Sequence, residues 1–541
     1  MKRAELATLL SAAVLGLGGC GGDTNSETAA PSSATGQTAP TSPTSPTSPT
    51  TTQIEPPPAL IPPNGATNPP PATQYAGCMN TSVTPSYEEQ RLVNVLPGVT
   101  TPFADQLLAA SGFDQFGPNF ARQLCTDGAI PSFAAAVRTV KIAGQALWQA
   151  AVDRVQGRQV AGTLPQSDDR MLYWARLKMT LALRQWVPQP ALTLEQRAQL
   201  QWVLERASRG QYAMSFPSGT NVKRIIISGF DPFTLGTPGA GSPSTNVRIG
   251  NPSGATALAL NNRKIALADG STAVIQTYLL PVDYDPFRKG MQEHTLAPFF
   301  TGAERVNASI TMSQGGEGEF WIENWHGRYH AAMFPDNLNT TIGSASYIFS
   351  PTFSVSYMLP GMQDADIYPP DDVLGYDPQP WQANQPEQFT TTTLPFDAMI
   401  TANTGAGITA PGASKPGGYS VIWHTDHSEF ANCSDGTSSV SFTGSSVYPP
   451  ATPPTPPASG SCAQEGGGGN YLSNESGYRN TLLRDTLAPD GKIFAGHLHT
   501  PIMTHFSNGD DGKLTDSLFE SYRNTIVQQA GNLVTAIVNA I

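Results

Sequence analysis

Charge is scarce in this chain, and basic charge is scarcer than acidic. Of 541 residues, 13% are charged, with 30 lysines and arginines against 42 aspartates and glutamates, a net charge of −12. A nucleic-acid surface needs a basic face to displace counterions, so no nucleic-acid partner is expected. The apolar run from Leu6 to Leu17 is too short to cross a bilayer, which takes ~20 apolar residues. Cysteine is sparse, at five residues. Abundant residues are Gly (51) and Pro (48), the mark of a loop-rich chain with large insertions.

The first segment concerns address. Lys2 and Arg3 precede the apolar run, which ends in Leu17, Gly18, Gly19 and Cys20. This reads as a signal peptide over 1–20. Its ending resembles a bacterial lipobox, which implies a lipidated Cys20 and a membrane anchor; with Gly21 and no acidic retention residue directly after Cys20, the outer membrane is the expected destination in a host with two membranes. A plain signal peptide is the alternative. Residues 21–76 are rich in Ser, Thr, Pro and Gly and include TSPTSPTSPT at 41–50. Such a segment buries too little apolar surface to offset its chain entropy, so a flexible tether is expected.

Without Cys20, an even number of cysteines remains: Cys78, Cys125, Cys433 and Cys462. In an exported protein they are expected as disulfides. Proximity in sequence suggests Cys78 with Cys125 and Cys433 with Cys462; free thiols are the alternative.

Residues 77–218 read as helical. Ala136, Val140, Ala143, Leu147 and Ala150 recur near helical spacing within 133–155. A second run spans 171–187. A third follows Thr193, which forms a capping box with Gln196. No catalytic constellation is visible here.

From about 219 to the end, strand-like and helix-like segments alternate, the pattern of an α/β fold. The β-branched run Ile225, Ile226, Ile227 signals a buried strand. It ends in GFDPF, with Phe230 and Phe233 around Asp231 and Pro232. Asn251, Pro252 and Ser253 then read as a helix start. Further strands are expected at 273–280, 308–312, 419–424 and 492–495, and a final helix at 516–538.

These motifs resemble the pyroglutamyl peptidase I (pyrrolidone-carboxylate peptidase) family of cysteine peptidases: GFDPF, then NPS at 251–253, a YLLPV strand at 278–282, and a late strand ending in HLHTP. The resemblance covers about 222–541, with insertions at about 234–250, 363–396 and 433–470. It implies an α/β three-layer sandwich with a mixed central sheet, preceded here by a helical region. It implies a hydrolase acting on a peptide or small amide, with no cofactor and no metal. His499, two residues before Pro501, matches the family's general base. Glu323 matches its acidic partner, although Asn324 stands where the family has Arg. Phe230 and Phe233 match the pair that packs the lactam ring of an N-terminal pyroglutamate.

The chain departs from the family at the nucleophile. The matching run is 473–481, and the position of the thiol falls on Thr481 without a gap or on Arg479 with one. Neither is cysteine; Cys462 is the nearest thiol upstream. Three readings stay open. The first is a hydrolase using Thr481 or Ser476 with His499 and Glu323. The second is a silent binding protein that retains the pocket. The third is a metal-dependent hydrolase using His424, Asp426 and His427 with His497 and His499, residue types that hold zinc at such spacings. His326 and His330 carry no recognisable spacing.

Overall fold

The computed structural model describes residues 77–125, 130–302, 305–331, 334–342, 347–349, 376–377, 387–411, 416–431, 439–507 and 512–541. Cys20, Cys433, the signal and tether segments and most of 363–386 lie outside the described residues.

Five helices come first: α1 (Phe103–Ser111), α2 (Phe116–Cys125), α3 (Phe133–Val155), α4 (Met171–Gln185) and α5 (Leu194–Ser208). The Thr193–Gln196 capping box forms with both of its hydrogen bonds, at 3.1 and 3.0 Å. Cys78 and Cys125 are joined in a disulfide that ties the start of the described chain to the end of α2. Cys462 is also disulfide-bonded; its expected partner, Cys433, lies outside the described residues.

A seven-stranded mixed sheet follows, with strands β1 (Val222–Phe230), β2 (Lys264–Ala266), β3 (Thr272–Leu280), β4 (Ala308–Gln314), β5 (Glu319–Glu323), β6 (Ser420–His424) and β7 (Phe494–Thr500). Their order across the sheet is β6-β5-β7-β4-β1-β3-β2. The pairs β1–β3, β1–β4, β4–β7 and β5–β6 are parallel, whereas β5–β7 and β2–β3 are antiparallel. The chain therefore has the expected α/β fold with a mixed central sheet. Ile225, Ile226 and Ile227 are fully buried, because β1 is central and both of its faces are covered. Each such side chain contributes about 1.5–3 kcal/mol of burial.

Helices cover both faces. On one side lie α6 (Pro252–Leu260) and α9 (Ser517–Asn539). On the other lie α7 (Met291–Phe300) and α8 (Leu472–Leu487), packed with Phe230, Tyr278 and Leu280. Helices α6 and α9 start on the side-chain caps of Asn251 and Asp516. The N-terminal helices share one apolar cluster with Leu235, Val247, Ile249, Ala257 and Leu258, and the described residues belong to one compact unit. No helix among the described residues is long and apolar enough to cross a membrane.

Strand alternation decides what each face carries. Successive side chains in a strand point to opposite faces. Ile310, Met312 and Leu498 pack on the α9 side. Ser309, Thr311 and Ser313 of β4, and His497 and His499 of β7, point the other way, toward α8. One sheet face is thus apolar and the other polar beneath a helix. The late strand runs further than sequence predicted, to Thr500, because the HLH segment pairs with β4 through residue 500; both histidines sit within the strand.

Candidate active site

The polar face of the sheet carries a carboxylate held between two imidazoles. Glu323 is the last residue of β5 and is fully buried. Its Oε1 accepts a hydrogen bond from His499 Nδ1 at 2.5 Å, and its Oε2 accepts one from His424 Nδ1 at 2.7 Å. The structure thus brings His499 and Glu323 together from 176 residues apart in the sequence. His424 comes from the end of β6, directly beside Glu323 in the parallel register. Trp321 closes the cluster. Its ring stacks on His424 with centroids 4.7 Å apart, and meets His499 edge-on at 5.9 Å.

The electrostatics follow from this geometry. Burial by itself would raise the Glu323 carboxyl, but the His424 charge and the hydrogen bonds from both imidazoles hold it well below the ordinary range. Burial would lower His424, yet the charge and hydrogen bond of Glu323, with Asp426, lift it to about 9. His424 is therefore an imidazolium at neutral pH, paired with a carboxylate. The His499 side chain is 6% exposed. Its Nδ1–H is given to Glu323.

Glycines make this packing possible. A Cβ at Gly467 would lie 2.0 Å from Glu323 Oε2, and one at Gly315 would lie 2.7 Å from His499 Cβ. The run Gly466–Gly469 leads directly into α8 and roofs the carboxylate with bare backbone. Its sequence signal was present, but composition alone reads it as a loop.

Beside this cluster is a pocket of about 40 Å³, lined by Phe230, Phe233, Asn251, Val282, Ser313, Gln314, Tyr471, Leu472 and Ser473. It lies at the carboxyl ends of β1 and β4, where open α/β sheets place their ligands. Phe230 stacks on Phe287 with centroids 6.3 Å apart. Phe230 and Phe233 both line this pocket, and no charged side chain does. The GFDPF turn is braced from the helical region: Arg209 donates to Asp231 Oδ2 at 3.0 and 2.7 Å, and Arg176 pairs with Asp231 Oδ1 at 2.5 Å. Asn251 Nδ2 donates to the Asp231 carbonyl at 3.0 Å. Sequence reading missed this clamp because an arginine on a helix is ordinarily a solvated charge.

Several expected residues are placed elsewhere. Thr481 is buried within α8, and its hydroxyl donates to Thr390 Oγ1 at 2.6 Å and lies 2.9 Å from the Gly477 carbonyl. It makes no contact with His499, so its expected role as nucleophile is corrected: at the tenth position of a helix its side chain turns to a neighbouring strand. Arg479 is fixed in a buried ion cluster with Glu475 and Glu293. Ser476 donates to the Ser473 carbonyl at 2.8 Å and lies 3.5 Å from His497 Nδ1. Cys462 is held in its disulfide and offers no thiol.

The five residues of the metal reading do not converge. His424 and His499 both spend Nδ1 on Glu323. His497 turns to Thr311 and Ser313. His427 stacks on Phe442 with centroids 4.6 Å apart, its Nε2 3.6 Å from Glu429. Among the described residues, no three His, Cys, Asp or Glu side chains form a group set to hold one metal ion. His326 is fully buried against Gly477, with neither ring nitrogen hydrogen-bonded.

Comparison with known proteins places the chain in a family. A family model described as the PA0049 C-terminal domain matches residues 224–504, and one described as the PA0049 N-terminal domain matches residues 69–205. A protein of Pseudomonas aeruginosa described as "Uncharacterized protein PA0049" is 43% identical over 527 residues, covering 88% of this chain and 93% of its own. Among solved structures, a mutant pyrrolidone carboxyl peptidase from Pyrococcus furiosus is 14% identical with a TM-score of 0.31, covering 59% of this chain and 99% of its own. Pyroglutamyl peptidase I from Bacillus amyloliquefaciens is 14% identical with a TM-score of 0.28, covering 58% and 97%. The chain belongs to the PA0049 family.

Proposed function

We propose that this member of the PA0049 family is an exported hydrolase of an N-terminal pyroglutamyl or related amide bond, with His499 as its acid–base group and Glu323 as the carboxylate that orients it. One observation carries the reading: the 2.5 Å bond from His499 Nδ1 to buried Glu323, next to a pocket lined by Phe230 and Phe233. A carboxylate on Nδ1 fixes the tautomer with its lone pair on Nε2 and stabilises the imidazolium formed when that nitrogen takes a proton. The proton then passes to the leaving amine. The pocket's two phenyl rings suit a flat neutral ring. The GFDPF and NPS motifs support the same substrate class.

The test is turnover of a pyroglutamyl anilide. His499→Ala and Glu323→Gln should each lower kcat/KM by ~10²–10⁴-fold, the usual worth of a placed acid–base group. Undiminished turnover in His499→Ala would sink the reading. A second reading, binding without turnover, is favoured by one observation: the threonine in the thiol's place is tied to Thr390. Pyroglutamyl peptides that bind without being cleaved would establish it.

The segment 1–20 supports export and lipid attachment at Cys20. Membrane fractionation checks this: the native chain should partition with membranes and Cys20→Ala should not.

A further inference from the structure

We propose that Ser313 is the nucleophile of this site and that His497, the first histidine of the HLH segment, takes its proton. This rests on the hydrolase reading above and names the group that stands in for the missing thiol.

The assignment follows from where each hydroxyl proton goes. Three hydroxyls surround the His497 ring. Thr311 Oγ1 lies 2.8 Å from Nδ1 and donates its own proton to the Gly496 carbonyl at 3.4 Å. Ser476 Oγ lies 3.5 Å from Nδ1 and donates to the Ser473 carbonyl at 2.8 Å. Both oxygens can then accept on that side, and the hydrogen is assigned to Nδ1. Nε2 then holds the lone pair. Ser313 Oγ lies 2.8 Å from Nε2 and is its donor. Nucleophile, base and orienting hydroxyl thus stand in a line of hydrogen bonds, the arrangement that activates an alcohol. Burial, followed by the nearby His499 and His326, keeps the resting His497 imidazole neutral.

Ser313 also faces the right place. It lines the pocket with Phe230 and Phe233. So do Leu472 and Ser473, in the first turn of the 16-residue helix α8, whose N-cap Tyr471 makes no side-chain cap hydrogen bond. Those first-turn N–H groups suit the developing oxyanion. In the reaction, Ser313 Oγ bonds to the amide carbon while its proton moves to His497 Nε2. His499 Nε2 takes a proton from solvent and passes it to the amine as the C–N bond breaks. Water then attacks the ester, giving its proton to His499, and Ser313 recovers its own from His497. The two rings lie 4.8 Å apart.

A fluorophosphonate probe tests this without depending on the amide substrate, because it forms an Oγ–P bond, expels fluoride and needs no protonated leaving group. Mass mapping of the full-length protein should find the label on Ser313. Ser313→Ala should remove it, His497→Gln should slow it at least tenfold, and His499→Gln should leave labelling within threefold while abolishing anilide turnover. A label on Ser473, Ser476 or Thr481 instead, an absence of label, or full anilide turnover in Ser313→Ala overturns the proposal. Turnover lost in His499→Gln but kept in Ser313→Ala leaves the hydrolase reading standing and removes only this nucleophile. As a guard against misfolding, Ser313→Cys should react with iodoacetamide at that residue at least tenfold faster than the double variant Ser313→Cys/His497→Gln; equal rates overturn the proposal.

Discussion

Replacing Glu323 by Gln keeps the shape of the side chain and removes the charge that two imidazoles share. In the native protein His424 holds its proton up to about pH 9, against about 6.5 in the unfolded chain. A group whose pKa is raised on folding stabilises fully below its unfolded value and loses that contribution as pH rises through its folded value. The interval from 6.5 to about 9 corresponds to about 3 kcal/mol. Urea unfolding at closely spaced pH should therefore show the native protein losing about 3 kcal/mol between pH 6 and pH 10. At pH 6, Glu323→Gln should be less stable by about 3–5 kcal/mol, the usual result of removing one partner of a buried ion pair. Its own stability should change little across the same interval. The difference between the two proteins should shrink toward high pH. Parallel curves for both would refute the assignment of the His424 charge to Glu323.

Thr481→Val, which removes a hydroxyl donated only within α8 and to Thr390, should leave anilide turnover within about twofold, since surface-remote changes of this kind lie outside the reacting geometry; a hundredfold loss would restore Thr481 as nucleophile. Asp231→Asn should destabilise the fold by about 3–5 kcal/mol in denaturant titration, because buried Arg209 and Arg176 then share only the partly exposed Glu205 as counter-charge; a neutral result would mean that the clamp contributes nothing. Replacing both Cys78 and Cys125 by Ala opens a loop of sequence separation 47, and the chain-entropy relation gives a loss of about 4 kcal/mol. Calorimetry of the double variant checks it, and an unchanged transition would show the cross-link to be idle.

The fold was legible where one element carries its own signal. Ile225–Ile227 announced a central strand, Thr193 with Gln196 announced a helix start, and Asn251 announced another. The pair Glu323 and His499 was legible only through motif resemblance, since nothing local in either segment points to the other. The nucleophile misled, because a one-dimensional match counts positions along a helix whereas chemistry depends on which way a side chain turns. Thr481 fits the count and faces β-structure at Thr390. His424 was visible as a histidine with ligand-like neighbours, yet its partner is a carboxylate some hundred residues earlier. Ser313 carried no signal at all: a serine in a β-strand is commonplace until its neighbour in the sheet is known.

The site depends on one topological feature that no single segment contains. Strand β5 enters the sheet antiparallel to β7 and places Glu323 opposite His497, yet Glu323 bonds to His499, its diagonal neighbour. Diagonal pairs in an antiparallel ladder lie within reach of long side chains, so a glutamate is long enough to span the offset where an aspartate is shorter by one methylene. The side left unfilled, directly across from Glu323, belongs to His497, which turns to β4 and its hydroxyls instead. Two imidazoles two residues apart on one strand are thereby given different environments: His499 has an ionised partner and His497 has neutral ones. A register slip by one residue would send every member to the apolar face beneath α9. The same alternation that gives the sheet its core thus separates a carboxylate-bound imidazole from a hydroxyl-bound one within a single HLH segment, and it predicts that Glu323→Asp will impair His499 while leaving fluorophosphonate labelling at Ser313 within about threefold, since the His497 hydrogen bonds do not involve the carboxylate.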